Sequence, residues 1–253
     1  MSAEQYYEKI TGLLTRIHDT QLGNIQRAAQ TMADAIANGR RVYLYGSGHS
    51  VIPVLDIFPR YGSFVGFFPL YDPRLMWFNV VGPGGARELL WLERREGYAE
   101  IFLQSYELNA GDCMLVFSHG GLNAAPIEAA LYAKRKGLTV ITVSSLANAQ
   151  AAAPTHSSGK TLSGAGDIAI DNCVAPEDSQ VDIGRPEKVA AGSTMAAVFI
   201  AMSLVAETGE QLAKRGFDLK TFVSPNVPGI EKDHNQKVFE HFTRAMAPRN
   251  IQK

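Results

Sequence analysis

The 253-residue chain is short of cysteine, of net charge and of long apolar runs, and each shortage removes a class of protein. It has two cysteines, Cys113 and Cys173, both inside apolar runs that read as buried strands. Two thiols make no disulfide framework, and no bridge is expected. The 24 basic and 25 acidic residues leave a formal net charge of -1, without a long basic run. That argues against nucleic acid or an anionic membrane as the main partner. An anionic ligand would have to be held by local groups and backbone N–H dipoles. The longest apolar stretch, around residues 195–206, falls short of a membrane span and contains Ser203. The opening MSAEQYYEKI lacks a basic segment followed by an apolar one, so no secretory leader is visible and a cytoplasmic location is expected. The six histidines show no metal-ligand spacing of the HExxH kind, and neither metal nor cofactor is expected.

What is present is enough apolar residue, 46%, to bury a substantial core. One domain over 1–253 is expected, with an N-terminal helical segment at 3–38 and a C-terminal helical tail at 230–247. Tyr6, Ile10, Leu13, Leu14 and Ile17, then Ile25, Ala28, Met32 and Ile36, recur at helical spacing. A soft spot at 19–23 predicts two pieces, and Asn38-Gly39 is a stop. Short β-rich runs follow at 41–45, 63–68, 113–117, 139–143 and 168–170. Helices are predicted between and after them at 51–61, 87–107, 125–136, 192–215 and 232–247. Residues 69–86, with Pro69, Pro73 and Pro83, read as loop, as do 144–166, apart from one helical turn, and 176–188. Apolar strands alternating with helices indicate an α/β fold, a parallel sheet covered on both faces.

In such sheets ligands bind beyond the carboxyl ends of the strands. Two loops there have matching chemistry: Gly46-Ser47-Gly48-His49-Ser50 after the first strand, and Ser118-His119-Gly120-Gly121-Leu122-Asn123 after the third. Glycine allows a tight turn and close backbone approach, and the following helix presents free N–H groups to an anion. A dinucleotide fits less well, because Val51 stands where the third small residue of the Rossmann fingerprint belongs, and the available ribose acid, Asp72, sits among prolines. Gly159-Lys160-Thr161 resembles the end of a nucleotide-binding P-loop, but Pro154 occupies its first glycine position.

These segments resemble the sugar isomerase (SIS) domain family. Its first strand commonly runs into G-x-G-x-S, here Gly46–Ser50, and its phosphate loop commonly reads S-x-S-G-x-T, here Ser118–Asn123. The helix end Ala130…Ala133-Lys134-Arg135-Lys136-Gly137 also matches. Within the family, Phe58-Pro59-Arg60-Tyr61-Gly62, His156-Ser157-Ser158-Gly159-Lys160, Asp171-Asn172 and Ser224-Pro225-Asn226-Val227 resemble the single-domain bacterial branch once called UPF0309; phosphoheptose isomerase is a more distant likeness. The resemblance implies a flavodoxin-like three-layer αβα sandwich with a five-stranded parallel sheet. It also implies a homo-oligomer, dimer or tetramer, with a sugar-phosphate site near the subunit interface. Gly120 departs from the motif by removing a serine hydroxyl, and Asn123 replaces threonine.

Ser47, Gly48, Ser50, Ser118, His119, Gly121 and Asn123 are therefore the candidate phosphate-binding residues, and Ser193 and Thr194 are candidate helix caps or substrate contacts. A metal-independent aldose–ketose isomerase needs a base, a donor near the carbonyl and a ring-opening group. His49 is a candidate from its loop. Glu93 is one because relatives carry a catalytic glutamate from a helix edging the site, and His234 because relatives use a late-chain histidine. Glu93 and Glu96, three apart, are predicted to share a helix face. A lyase or etherase on an amino-sugar phosphate, and a non-catalytic phosphosugar sensor, stay open beside the isomerase.

Overall fold

The computed structural model describes residues 1–77, 80–82 and 84–249; Pro83 of the expected loop lies outside them. A single helix, α1 (Ser2–Ala37), opens the chain. The expected break at 19–23 does not occur: Ile17 and Ile25 are both buried on either side of it, and their burial outweighs the helix-weakening Gly23. Five parallel strands follow: β1 (Val42–Gly46), β2 (Phe67–Pro69), β3 (Cys113–Phe117), β4 (Thr139–Ser144) and β5 (Ile168–Asp171). Their order is β2-β1-β3-β4-β5.

Side chains alternate across the sheet, as the pleat requires. Val42, Leu44, Cys113, Leu115 and Ile141 point to one apolar layer. It is closed by α1, α2 (Val51–Ile57) and α8 (Ser193–Lys214). Tyr43, Tyr45, Met114, Val116 and Val140 point to the other. That layer is closed by α4 (Tyr98–Leu103), α5 (Ala124–Arg135) and α7 (Leu162–Ala165). The three-layer αβα sandwich is thus present. By length and composition α8 alone among the described helices would pass as a membrane span. Its buried residues Ala196, Ile200, Leu204 and Leu212 belong instead to the first layer.

Several boundaries differ from expectation for local reasons. α2 stops at Ile57 because Pro59 biases Phe58 to its extended conformation, ψ 139°. β2 starts late because Phe64 is bridged to Thr221, and Gly66, at φ 155°, lies against Ile36. The helix expected over 87–107 is two, α3 (Ala86–Leu92) and α4, divided by Gly97 at φ 86°. The carboxylate of Glu128 on α5 accepts from the N–H groups of Gly97 and Glu100 and so caps α4. The connection after β4 holds α6 (Leu146–Ala151) as well as α7. The polar stretch 176–188 is not all loop: β6 (Ser179–Val181) pairs antiparallel with β7 (Val189–Ala191). Cys173 is not in a strand; it follows β5 at φ 58°, with Sγ 3.6 Å from Thr20 Oγ1. Both thiols are free. The last helix is α9 (His234–Met246).

Candidate functional site

Strand order reverses between β1 and β3, and the loops leaving their carboxyl ends flank the crevice at that switch point. A cavity of about 320 Å³ opens there. Both loops singled out in the sequence line it.

The first loop owes its path to two glycines. A Cβ on Gly46 would stand 2.3 Å from the Ser50 carbonyl oxygen. Gly48 has φ +60°, and a Cβ there would meet the Trp77 indole nitrogen at 2.9 Å. The turn they allow sends Ser47 inward and leaves His49 at the mouth, its ring 5.0 Å from that of Trp77.

The second loop ends at the N-terminus of α5. Asn123 occupies the capping position, but its side chain does not cap. Ala125 N–H donates to the Glu93 carbonyl at 2.9 Å, and Pro126 has no N–H. The N–H groups of Asn123 and Ala124 are left without an intramolecular partner among the described residues. Ser118 Oγ accepts from Gly121 N–H at 3.2 Å, which leaves its own proton to donate outward. The backbone N–H groups of His119 and Gly120 have no intramolecular partner among the described residues. Gly121, at φ +63°, lets the loop lie against Ser144. The result is a cradle of neutral donors converging where α5 begins. No lysine or arginine is among the described lining residues.

Glu93 closes one wall. It ends α3, and only 7% of it is exposed. Its carboxylate accepts from Ser47 Oγ at 3.1 Å and from the Asn123 amide at 2.7 Å. Burial raises its pKa above the ordinary carboxylate value, opposed by the Ser47 hydrogen bond and the charge of Arg94. Glu96 does not share this face. The helix ends before it, and its carboxylate turns outward to Ser157 N–H and Oγ, each at 2.6 Å.

The sequence-derived candidates divide accordingly. Ser47, Gly48, His49, Ser50, Glu93, Ser118, His119, Asn123, Ser193 and Thr194 all meet in the cavity. Ser47 and Asn123 each spend a donor on Glu93, while the Ser118 and Ser50 hydroxyl protons have no partner among the described residues. Charge-assisted donation from His119 is disfavoured, because burial lowers its pKa, against a weaker opposing pull from Asp178. Ser193 does not cap α8 itself: Asp178 accepts from Gly192 N–H, Ser193 N–H and Ser193 Oγ. His234 is elsewhere, its Nε2 2.8 Å from the Thr221 carbonyl. Asp72 is occupied by Arg74 N–H and the Tyr98 hydroxyl.

Trp77, Asn172 and Asp178 line the cavity without having been assigned there from sequence. Asn172 lies 3.2 Å from one ring nitrogen of His119, and Asn148 lies 3.3 Å from the other. Asp171-Asn172 was visible as a motif. Asp178 had no local signal, since it reaches α8 across 15 residues at φ 61°.

A SIS domain model matches residues 5–145. The chain belongs to the SIS domain family. A UPF0309 protein of Oceanobacillus iheyensis is 36% identical over 94% of this chain and 96% of its own length. One from Streptomyces coelicolor is 32% identical over 95% and 94%. Among solved structures, a phosphoheptose isomerase from Francisella tularensis shares the fold of this SIS chain at TM-score 0.53 and 16% identity, over 82% of this chain and 96% of that one. The Vibrio vulnificus NanR protein complexed with ManNAc-6P does so at TM-score 0.51 and 14% identity, over 96% and 69%.

Proposed function

We propose that this SIS protein binds a sugar phosphate in the switch-point cavity and isomerises it between aldose and ketose without a metal. The observation that carries this reading is Glu93: a buried carboxylate of raised pKa in the wall of a cavity whose adjoining loop is a neutral-donor cradle. The family supports the substrate class, and structural neighbours include a phosphoheptose isomerase and a NanR protein complexed with ManNAc-6P.

In this reading the phosphate sits at the start of α5, on the Ser118 hydroxyl, the N–H groups of His119, Gly120 and Ala124, and the Ser50 hydroxyl. His49 at the mouth serves ring opening. Glu93 takes the proton from C2 of the open-chain aldose. The C–H electron pair forms the C1–C2 double bond of the enediol as the carbonyl oxygen gains a proton. Return of the proton to C1, with loss of the C2 hydroxyl proton, gives the ketose. A carboxylate raised toward neutrality matches this work better than an ordinary one. Exposed Leu90 and Trp91 beside Glu93 suit a second copy of the chain at the cavity rim.

The test is exchange of the C2 proton of aldose phosphates in deuterium oxide, followed by proton NMR. Exchange with conversion to ketose supports the isomerase, and exchange with loss of a substituent indicates a lyase. Saturable binding across a broad panel without exchange contradicts catalysis and leaves a sensor.

A further inference from the structure

A second cavity, of about 350 Å³, opens at the opposite edge of the sheet, where Arg41 and Gly66 precede β1 and β2. Its wall carries Arg40, Arg41, Lys220, Arg244 and Arg249, with Asp218 as the one carboxylate among the described lining residues. His241 lies in the same wall. In a chain of formal net charge -1, such a cluster is not a by-product of a basic composition.

Three of these cations are already engaged. Arg41 donates to the carbonyls of Ala245 and Ala247, each at 2.7 Å. Arg249 grips Asp112 at 2.6 and 2.8 Å. Lys220 pairs with Asp218. Arg40 and Arg244 are different. Both are exposed, and neither has a carboxylate within ion-pair distance among the described residues. They come from separate elements, the α1–β1 turn and α9. Val65, Phe68 and Phe217 provide apolar wall between the charges. Concentrated like charge in a concave site raises the local concentration of an anion. The planar guanidinium fork matches phosphate oxygens in pairs.

We propose that this cavity is a second binding site, taking a phosphate group through Arg40 and Arg244. It is independent of the switch-point site and of the reading given to it. Because Arg41 and Arg249 fasten the chain end in the same wall, an occupant would also tie α9 to the start of β1.

Calorimetric titration of the full chain with inorganic phosphate and with glycerol 3-phosphate tests this. Three proteins are compared: wild type, the double variant Arg40→Ala/Arg244→Ala, and Ser118→Ala. The expected result is a site weakened about tenfold or more in the double variant and retained in Ser118→Ala. Binding there should also weaken as salt rises, since exposed charges are screened. Tighter binding of the ester identifies a phosphorylated metabolite, and equal binding identifies free phosphate; either supports the site. Binding that is abolished by Ser118→Ala alone, unchanged in a double variant still folded by circular dichroism, or absent from wild type overturns it.

Discussion

The two ends of one sheet offer an anion opposite chemistries. At the carboxyl edge, a helix start, free loop amides and a serine hydroxyl line the cavity, with no lysine or arginine among the described lining residues. At the amino edge, Arg40, Arg41, Arg244 and Arg249 line the cavity with guanidinium groups. The first arrangement is fixed by turns and holds its donors in place before a ligand arrives; the second depends on long side chains and on charge. Fixed neutral donors leave a neighbouring base free to work. A further cation inside the cavity would add to the lowering already exerted by Arg94 and work against what burial achieves. On the proposed roles, the difference explains how a proton-transfer site does without lysine and arginine while a plain anion site is full of them.

Several changes break or sharpen that contrast. The largest effect is expected from Glu93→Gln. Loss of a general base should lower kcat by about 10²–10⁴-fold, while phosphate affinity at both cavities is held or improved. Steady-state kinetics beside calorimetry separates the two. Next is Ser118→Ala. Loss of a hydrogen bond to a charged group costs about 1.5–3 kcal/mol, so sugar-phosphate binding should weaken about ten- to a hundredfold. Binding at the arginine cavity should not change.

Gly120→Ser is expected to act in the other direction. A Cβ at this position meets nothing within 4 Å, so the hydroxyl that the SIS motif would place here has room. One added hydrogen bond should tighten phosphate binding by about 0.5–1.5 kcal/mol, read as a lower Kd.

The smallest effect concerns pH. His119 has its folded pKa lowered by burial, so the folded state binds fewer protons than the unfolded chain. The stability it confers is full above the unfolded value of about 6.5 and is lost as pH falls through the folded value. Denaturant unfolding between pH 8 and 5 should therefore show wild type losing stability relative to His119→Gln as acid is added. Arg40→Ala/Arg244→Ala should leave that difference unchanged.

Much of the sheet was legible because its strands are buried on both faces and read as unbroken apolar runs; β3 falls where the run Cys113–Phe117 does. The switch-point loops were legible because glycine and serine follow those runs directly. What sequence could not reveal was set by contacts across the fold. α1 is continuous because tertiary burial of Ile17 and Ile25 overrides a local weakness. Glu93 and Glu96 part company because the chain leaves the helix between them. Ser47 and Asn123 read from sequence only as phosphate ligands, yet each also donates to Glu93, a pairing across 46 and 30 residues. Asp178 caps α8 from a turn with no capping signature.

Every role proposed for the switch-point cavity depends on the loop Ser118–Asn123 gripping a phosphate. The most direct measurement is thermal shift with matched pairs, each sugar beside its phosphate ester, on wild type and Ser118→Ala at raised salt. At a ligand concentration about 100 times Kd, stabilisation of ~2.7 kcal/mol is expected. The ester should stabilise wild type, the free sugar should do so far less, and Ser118→Ala should remove most of the difference. Equal stabilisation by sugar and ester, or an ester effect untouched by Ser118→Ala, would contradict that grip.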